Sequence, residues 1–199
     1  MTKSHANAPV DRRSLRTRTA LRDALLELIA DRGWDEIAVQ DVCERANIGR
    51  STFYLHYPNK DALLQGGLED LQAELQRQTS ARSDNASPSA GALEGFHFAL
   101  GLIEHVYEHR KVLRGMIGRR SGHVVQQRFR EMVIRLITDE LPVSTGNVPR
   151  GAVARWLAGA FVELLSWWID QRTQLPPKEL AVLFNELSRS ALEQRRVSS

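Results

Sequence analysis

The run NIGRSTFYLHYPNKDALL, residues 47–64, holds Arg50, Ser51, Thr52, Tyr54, His56, Tyr57 and Lys60 within eleven positions, broken by the single proline Pro58. Guanidinium, hydroxyl, imidazole and ammonium groups at this density are donors for phosphate oxygens and for base edges. The run is too polar for a core strand and too crowded for one face of a long helix. Its chemistry is binding to a polyanion rather than bond making. Lys60 sharpens the point. It falls in the first turn of the helix that follows Pro58 and Asn59, where the helix end disfavours a cation by about 0.3–1 kcal/mol. An external anion would reverse that penalty, so the spacing predicts a phosphate shared by Lys60 and the helix end, with His56 and Tyr57 donating beside it.

Other chemistries have less behind them. Cys43 is the only cysteine, and it lies on the apolar side of a helical segment, where a thiol is inert core rather than nucleophile. His105 and His109 are spaced i, i+4, but a metal wants at least three protein ligands, and neither Glu104 nor Glu108 is marked as the third. Neither a Gly-rich phosphate loop nor a nucleophile elbow is found. The expectation is no enzyme, no metal and no cofactor.

The elements that must position the cluster are helices. Leu21, Ala24, Leu25, Leu28 and Ile29 recur at helical spacing, and Gly33 supplies a left-handed stop, giving a first helix over about 14–32. Two short helices follow over about 38–46 and 50–56, and Asn47 stands between them where a tight turn needs positive φ. Phe53 anchors the second, turning Arg50, Ser51, Thr52 and Tyr54 outward. Asn59 caps a longer helix to about Thr79, and SARSDNASPSAG (80–91) reads as a loop. Further helices are expected over about 93–109, 111–118, 122–140, 149–172 and 177–195. The fold class is all-α: a flexible basic arm over 1–13, a three-helix helix-turn-helix domain over 14–64, and a helical bundle over 65–199.

Composition agrees with a folded chain. Of 199 residues, 42% are hydrophobic and 26% charged, ordinary for globular material. The net charge of +3 is small, but Lys3, Arg12, Arg13, Arg16 and Arg18 stand against Asp11 alone in the first twenty positions. Such an arm can neutralise phosphates. No apolar run approaches the roughly 20 residues of a transmembrane helix, and the N-terminus lacks the apolar stretch of a secretory signal. A cytoplasmic location, without a membrane partner, is the expectation.

At AVQDVCERANIGRSTFYLHYPNKDALL, residues 38–64, the chain resembles the DNA-binding domain of the TetR (tetracycline-repressor-like) family, through Phe53–Tyr54, His56, Tyr57, Lys60 and Leu63. The likeness reaches back over the first helix, to about residue 14. It implies that Gln40, Arg50, Ser51, Thr52 and Tyr54 approach base edges, and that Tyr54, His56, Tyr57 and Lys60 clamp the backbone, assisted by Arg16 and Arg18. Arg50 is the candidate for direct readout of guanine, an interaction worth about 1–3 kcal/mol of discrimination. Two positions depart from the family pattern. Ala38 replaces a common Ser or Thr cap, and Gly49 replaces a serine cap at a cost of a few tenths of a kcal/mol.

A palindromic double-stranded operator implies a two-fold dimer with recognition helices about 34–36 Å apart. The expected homodimer face is on the last two helices: Trp156, Ala160, Phe161, Leu164 and Trp168, with Leu180, Leu183, Phe184 and Leu187. The likeness also implies an effector pocket for an unidentified small molecule, with candidates Phe96, His97, Leu100, Ile103, Tyr107, Met116, Phe129, Met132, Trp156 and Trp167. The expected activity is repression of a nearby operator, relieved by the effector. Trp167–Trp168 followed by PPKE (176–179) is similar to regulators near dihydroxyacetone-kinase genes, which implies control by a protein partner in place of a small molecule; the alternative reading is an activator or a helical adaptor controlled by a protein partner. Gly66–Gly67 weakens its helix by about 1 kcal/mol per glycine, either as a soft joint or for close packing against the first helix.

Overall fold

The computed structural model describes residues 8–84, 95–110, 122–142, 148–170 and 175–193, and every regular element among them is an α-helix. In chain order these are α1 (Ala8–Arg32), α2 (Val39–Ala46), α3 (Arg50–His56), α4 (Lys60–Asp84), α5 (His97–Glu108), α6 (Gly122–Glu140), α7 (Arg150–Asp170) and α8 (Pro177–Glu193). The helix expected over 111–118, with Met116, lies outside the described residues.

Several boundaries differ from expectation, among them the start of α5, at His97 rather than about residue 93. α1 begins at Ala8, so residues 8–13 of the expected arm are helical; Pro9 sits in the first turn, where its missing N–H leaves no partner unsatisfied. α4 runs to Asp84, through the first five residues of the expected loop. It also runs unbroken across residue 64, so the helix-turn-helix unit and the bundle share one helix.

The stops are chemically legible. Gly33 has φ 84° and donates its N–H to the Ile29 carbonyl at 3.0 Å, closing α1 in the left-handed conformation. α4 starts with the Asn59 Oδ1 accepting the Ala62 N–H at 2.8 Å. The start of α5 is capped from a distance: the carboxylate of Glu140 accepts the N–H groups of both His97 and Phe98. The α6 end is closed by the Arg150 guanidinium, which donates to the carbonyls of Thr138 and Leu141. Helix ends otherwise left with orphan groups are thus paired by side chains of neighbouring elements.

One continuous core runs through the molecule. In the N-terminal unit Leu21, Leu25, Leu28 and Ile29 of α1 meet Val42 and Cys43 of α2, Phe53 of α3 and Leu63 of α4, all buried. In the bundle an aromatic chain joins α5, α7 and α8: Phe98 stacks edge-on against Phe161 at 5.4 Å, and Phe161 against Phe184 at 4.8 Å. Each such fully buried side chain contributes about 1.5–3 kcal/mol relative to exposure. α7, at 21 residues and mean hydropathy 1.2 over its most apolar stretch, has the length and composition of a membrane span, contrary to the sequence expectation. Val153, Leu157, Phe161 and Leu165 put it in the core instead, and Arg155 and Glu163 stand on its exposed side.

Candidate nucleic-acid interface

The turn between α2 and α3 is built on Asn47, at φ 53° and ψ 45°. The Ile48 N–H reaches the Cys43 carbonyl at 2.9 Å and the Asn47 N–H reaches that of Glu44 at 3.2 Å. These are the two bonds of a Schellman ending, and Asn is the best non-glycine residue for its left-handed position. At the α2 start, Ala38 provides no side-chain cap, but its own N–H donates to Asp41 Oδ2 at 2.7 Å. Gly49 likewise leaves α3 without a side-chain cap.

α3 has seven residues and one anchor. Phe53 is fully buried and meets Tyr54 edge-on at 5.4 Å. Around it Arg50 and Ser51 are exposed, Thr52 and His56 half-buried, and Tyr54 50% exposed. Gln40 of α2 is exposed beside them, its amide donating to Glu44 at 2.8 Å. Arg16 is exposed on α1. One surface residue was missed from the sequence: Leu55, 83% exposed. The signal was available. A residue two positions after the buried Phe53 points about 200° away from it, on the opposite side of the helix.

Three residues assigned to the phosphate clamp have internal partners. The Lys60 ammonium donates to the carbonyls of Trp34 and Ile37, both at 2.8 Å, and lies 4.5 Å from the centre of the Trp34 ring. The cation at this helix start is therefore accounted for by carbonyls of the α1–α2 connection, not by an external anion. One of its three donors is left for a phosphate. Tyr57 is 7% exposed, so its ring is core, and its hydroxyl accepts from Arg18 Nε at 3.1 Å. Arg18 also pairs with Asp70 at 3.4 Å. Its guanidinium ties α1 to α4 and is held in its charged form, first by the Tyr57 hydroxyl.

The expected effector residues do not converge. Phe96, Ile103 and Met132 are buried in the core. His97 sits at the α5 start beside Glu140, and Leu100 is half-buried. Tyr107, Trp156 and Trp167 are 45%, 52% and 42% exposed. Among the described ones, Phe129 alone lines the cavity between α1, α4 and α5. The expected dimer residues divide too. Phe161, Trp168, Leu180 and Phe184 are buried within the subunit, although Phe184 also lines the groove between α7 and α8. Trp156, Ala160, Leu164 and Leu187 line a surface groove between α7 and α8, together with Trp167, and Leu183 is half-buried.

Among the described residues no cluster of His, Cys, Asp or Glu is arranged to hold a metal. Burial raises the Cys43 thiol above its ordinary value, which keeps it protonated and unreactive.

Residues 21–66 match the family described as "Bacterial regulatory proteins, tetR family", and residues 96–190 match that described as "Transcriptional regulator C-terminal region". The chain is 27% identical over 175 residues to the uncharacterized HTH-type transcriptional regulator YxbF of Bacillus subtilis (strain 168), covering 86% of this chain and 44% of that protein. It thus spans less than half of that relative's length. A TetR transcriptional regulator from Streptococcus agalactiae 2603V shares 26% identity and a TM-score of 0.61, with 92% of this chain and 99% of the other aligned. The dihydroxyacetone kinase operon activator DhaS is similar in fold, at 17% identity and a TM-score of 0.52, over 89% of this chain and 96% of its own. These proteins are transcriptional regulators rather than enzymes. With the helix-turn-helix unit at one end and the helical C-terminal region at the other, this chain belongs to the TetR family of transcriptional regulators.

Proposed function

We propose that the chain acts in the cytoplasm as a homodimer that binds a palindromic double-stranded operator and represses a nearby promoter until a small-molecule effector releases it. The observation that supports this best is α3, whose Arg50, Ser51, Tyr54 and Leu55 stand exposed around the buried Phe53. A helix of that form can enter the major groove. Gln40 and Thr52 flank the bases, and His56, the remaining donor of Lys60, and Arg16 reach phosphates. Arg18 and Tyr57 serve the interface indirectly, by holding α1 against α4.

The homodimer face is the groove of α7 and α8. Trp156, Trp167 and Leu187 are each more than two-fifths exposed there, and a contiguous apolar patch of this kind marks an association surface. Light scattering at low micromolar concentration should return twice the subunit mass; a monomer would refute it. The sign of regulation follows from where the operator lies. Transcription in vitro from a promoter carrying the selected site gives repression in this reading. Stimulation would favour the alternative of an activator, the role carried in the name of the structural neighbour DhaS.

A further inference from the structure

Between α1, α4 and α5 lies a cavity of about 430 Å³, within the size range of small-molecule sites. Its floor is apolar: Leu25, Leu64, Leu68, Leu102 and Val106 line it and are buried. Its walls carry three arginines and three carboxylates, and these pair one to one. Arg18 meets Asp70 at 3.4 Å, Arg22 meets Asp23 at 3.3 Å, and Arg77 meets Glu74 at 2.6 Å. Every cation on the wall is answered by an anion of the same wall. These pairs are partly exposed and cost little to break, but a charged ligand seated beyond them would bring an uncompensated charge onto the leucine floor, which is unfavourable.

Two imidazoles complete the lining. His105 and His109 stack with ring centres 4.5 Å apart and planes at 32°. Nδ1 of His109 lies 3.0 Å from the His105 carbonyl, so in neutral His109 the Nδ1 carries the proton and Nε2 is an acceptor. Burial, then the neighbouring His109 and Arg22, push His105 down to about 4, so near pH 7 it is a neutral ring with one donor and one acceptor. The cavity thus offers an apolar floor, flat aromatic faces and the uncharged ring of His105.

We propose that this cavity binds an uncharged aromatic molecule of two to three rings, seated on the leucine floor with its polar substituent at the His105–His109 pair, and that its occupancy alters DNA affinity. The coupling follows from the lining. α1 belongs to the DNA reader and α5 to the bundle, so an occupant touches both sides of the joint, and a change at α1 moves α2 and α3 with it. The regulatory half rests on the chain being a DNA-binding regulator; the binding half does not.

The test uses the full chain and two fluorescent probes with one skeleton: uncharged N-phenyl-1-naphthylamine and its anionic sulfonate, 8-anilino-1-naphthalenesulfonate. The uncharged probe is expected to bind with a low-micromolar Kd and the sulfonate at least tenfold more weakly. Leu71→Trp on α4 and Leu26→Trp on α1 fill the cavity from opposite walls, and either one that keeps the wild-type Tm should weaken the uncharged probe at least tenfold. His105→Phe, which keeps the aromatic face, should weaken it by a smaller factor. Failure of the uncharged probe to bind, equal binding of the sulfonate, or binding that survives both tryptophans would overturn the site. Saturating uncharged probe should change operator affinity at least fivefold in wild type and not in Leu71→Trp. Unchanged operator affinity with the probe bound would overturn the coupling. Absence of operator binding in the probe-free protein would instead overturn the regulator reading and leave the site standing.

Discussion

Tyr54 and Leu55 present chemistry outward from α3 while Phe53 between them and the core supplies the energy that holds it. Phe53→Ala removes a fully buried ring and should cost about 3–5 kcal/mol by urea denaturation, enough to unfold the unit in a marginally stable protein. Leu55→Ala removes an 83% exposed side chain and should leave stability unchanged. Its expected effect is on DNA: we propose that a leucine there meets a thymine methyl, in which case replacing that operator thymine with uracil should weaken wild type several-fold and the variant not at all. Lys60→Met separates two roles. If carbonyl capping is the main one, the variant loses about 1–2 kcal/mol of stability in the absence of DNA; if Lys60 served phosphate alone, its denaturation curve would overlay wild type. His105 carries a pH signature. Its value near 4 lies below the ordinary 6.5, so between those values the unfolded chain binds more protons. Stability is therefore full above about pH 6.5 and falls as the pH drops toward 4. Tm measured at pH 7, 6 and 5 should show that fall, and His105→Gln should make it shallower.

At the level of elements, local signals were legible and distant partners were not. Gly33, Asn47 and Asn59 each act on backbone groups within a turn of themselves, so spacing alone identifies them. Lys60 and Tyr57 take partners 26 and 39 positions away, and a donor read without them looks available to DNA. The α7 and α8 stripes show the same limit. Periodicity finds an apolar side but does not divide it between a subunit's own core, as with Phe161 and Leu180, and an outward groove, as with Trp156 and Leu187. The two glycines of α4 resolve toward close packing. A Cβ at Gly66 would stand 3.2 Å from the Tyr57 ring, and one at Gly67 would stand 3.2 Å from the Arg22 stem. The ring is fixed in the core, whereas the arginine stem can shift. Gly66→Ala should therefore lower Tm, while Gly67→Ala, gaining about 1 kcal/mol of helix propensity, should leave Tm equal or higher. Equal losses from both would contradict this distinction.

Across the whole molecule, α4 is the element that ties the two ends together. It begins beneath the reader at Lys60, carries the Arg18–Asp70 pair to α1, and bonds α6 through Gln72–Arg135 and Gln76–Asp139. In the proposed reading one subunit meets half of a palindrome, and the homodimer would then be part of the DNA-binding unit. Leu187→Asp, at 58% exposure, should give a monomer by light scattering with little change in helix content, and should weaken operator binding at least tenfold. The central claim is that α3 reads DNA, and one experiment meets it directly. Fluorescence anisotropy with DNA from upstream of the chain's own gene, or with a site selected from a genomic library, would be run at 50 and 200 mM salt against random competitor. Wild type should bind tightly and resist competitor, lose affinity steeply with salt, and lose specific binding in Tyr54→Ala with Tm unchanged. Wild-type binding no better than to random DNA, for upstream and selected sites alike, would contradict it.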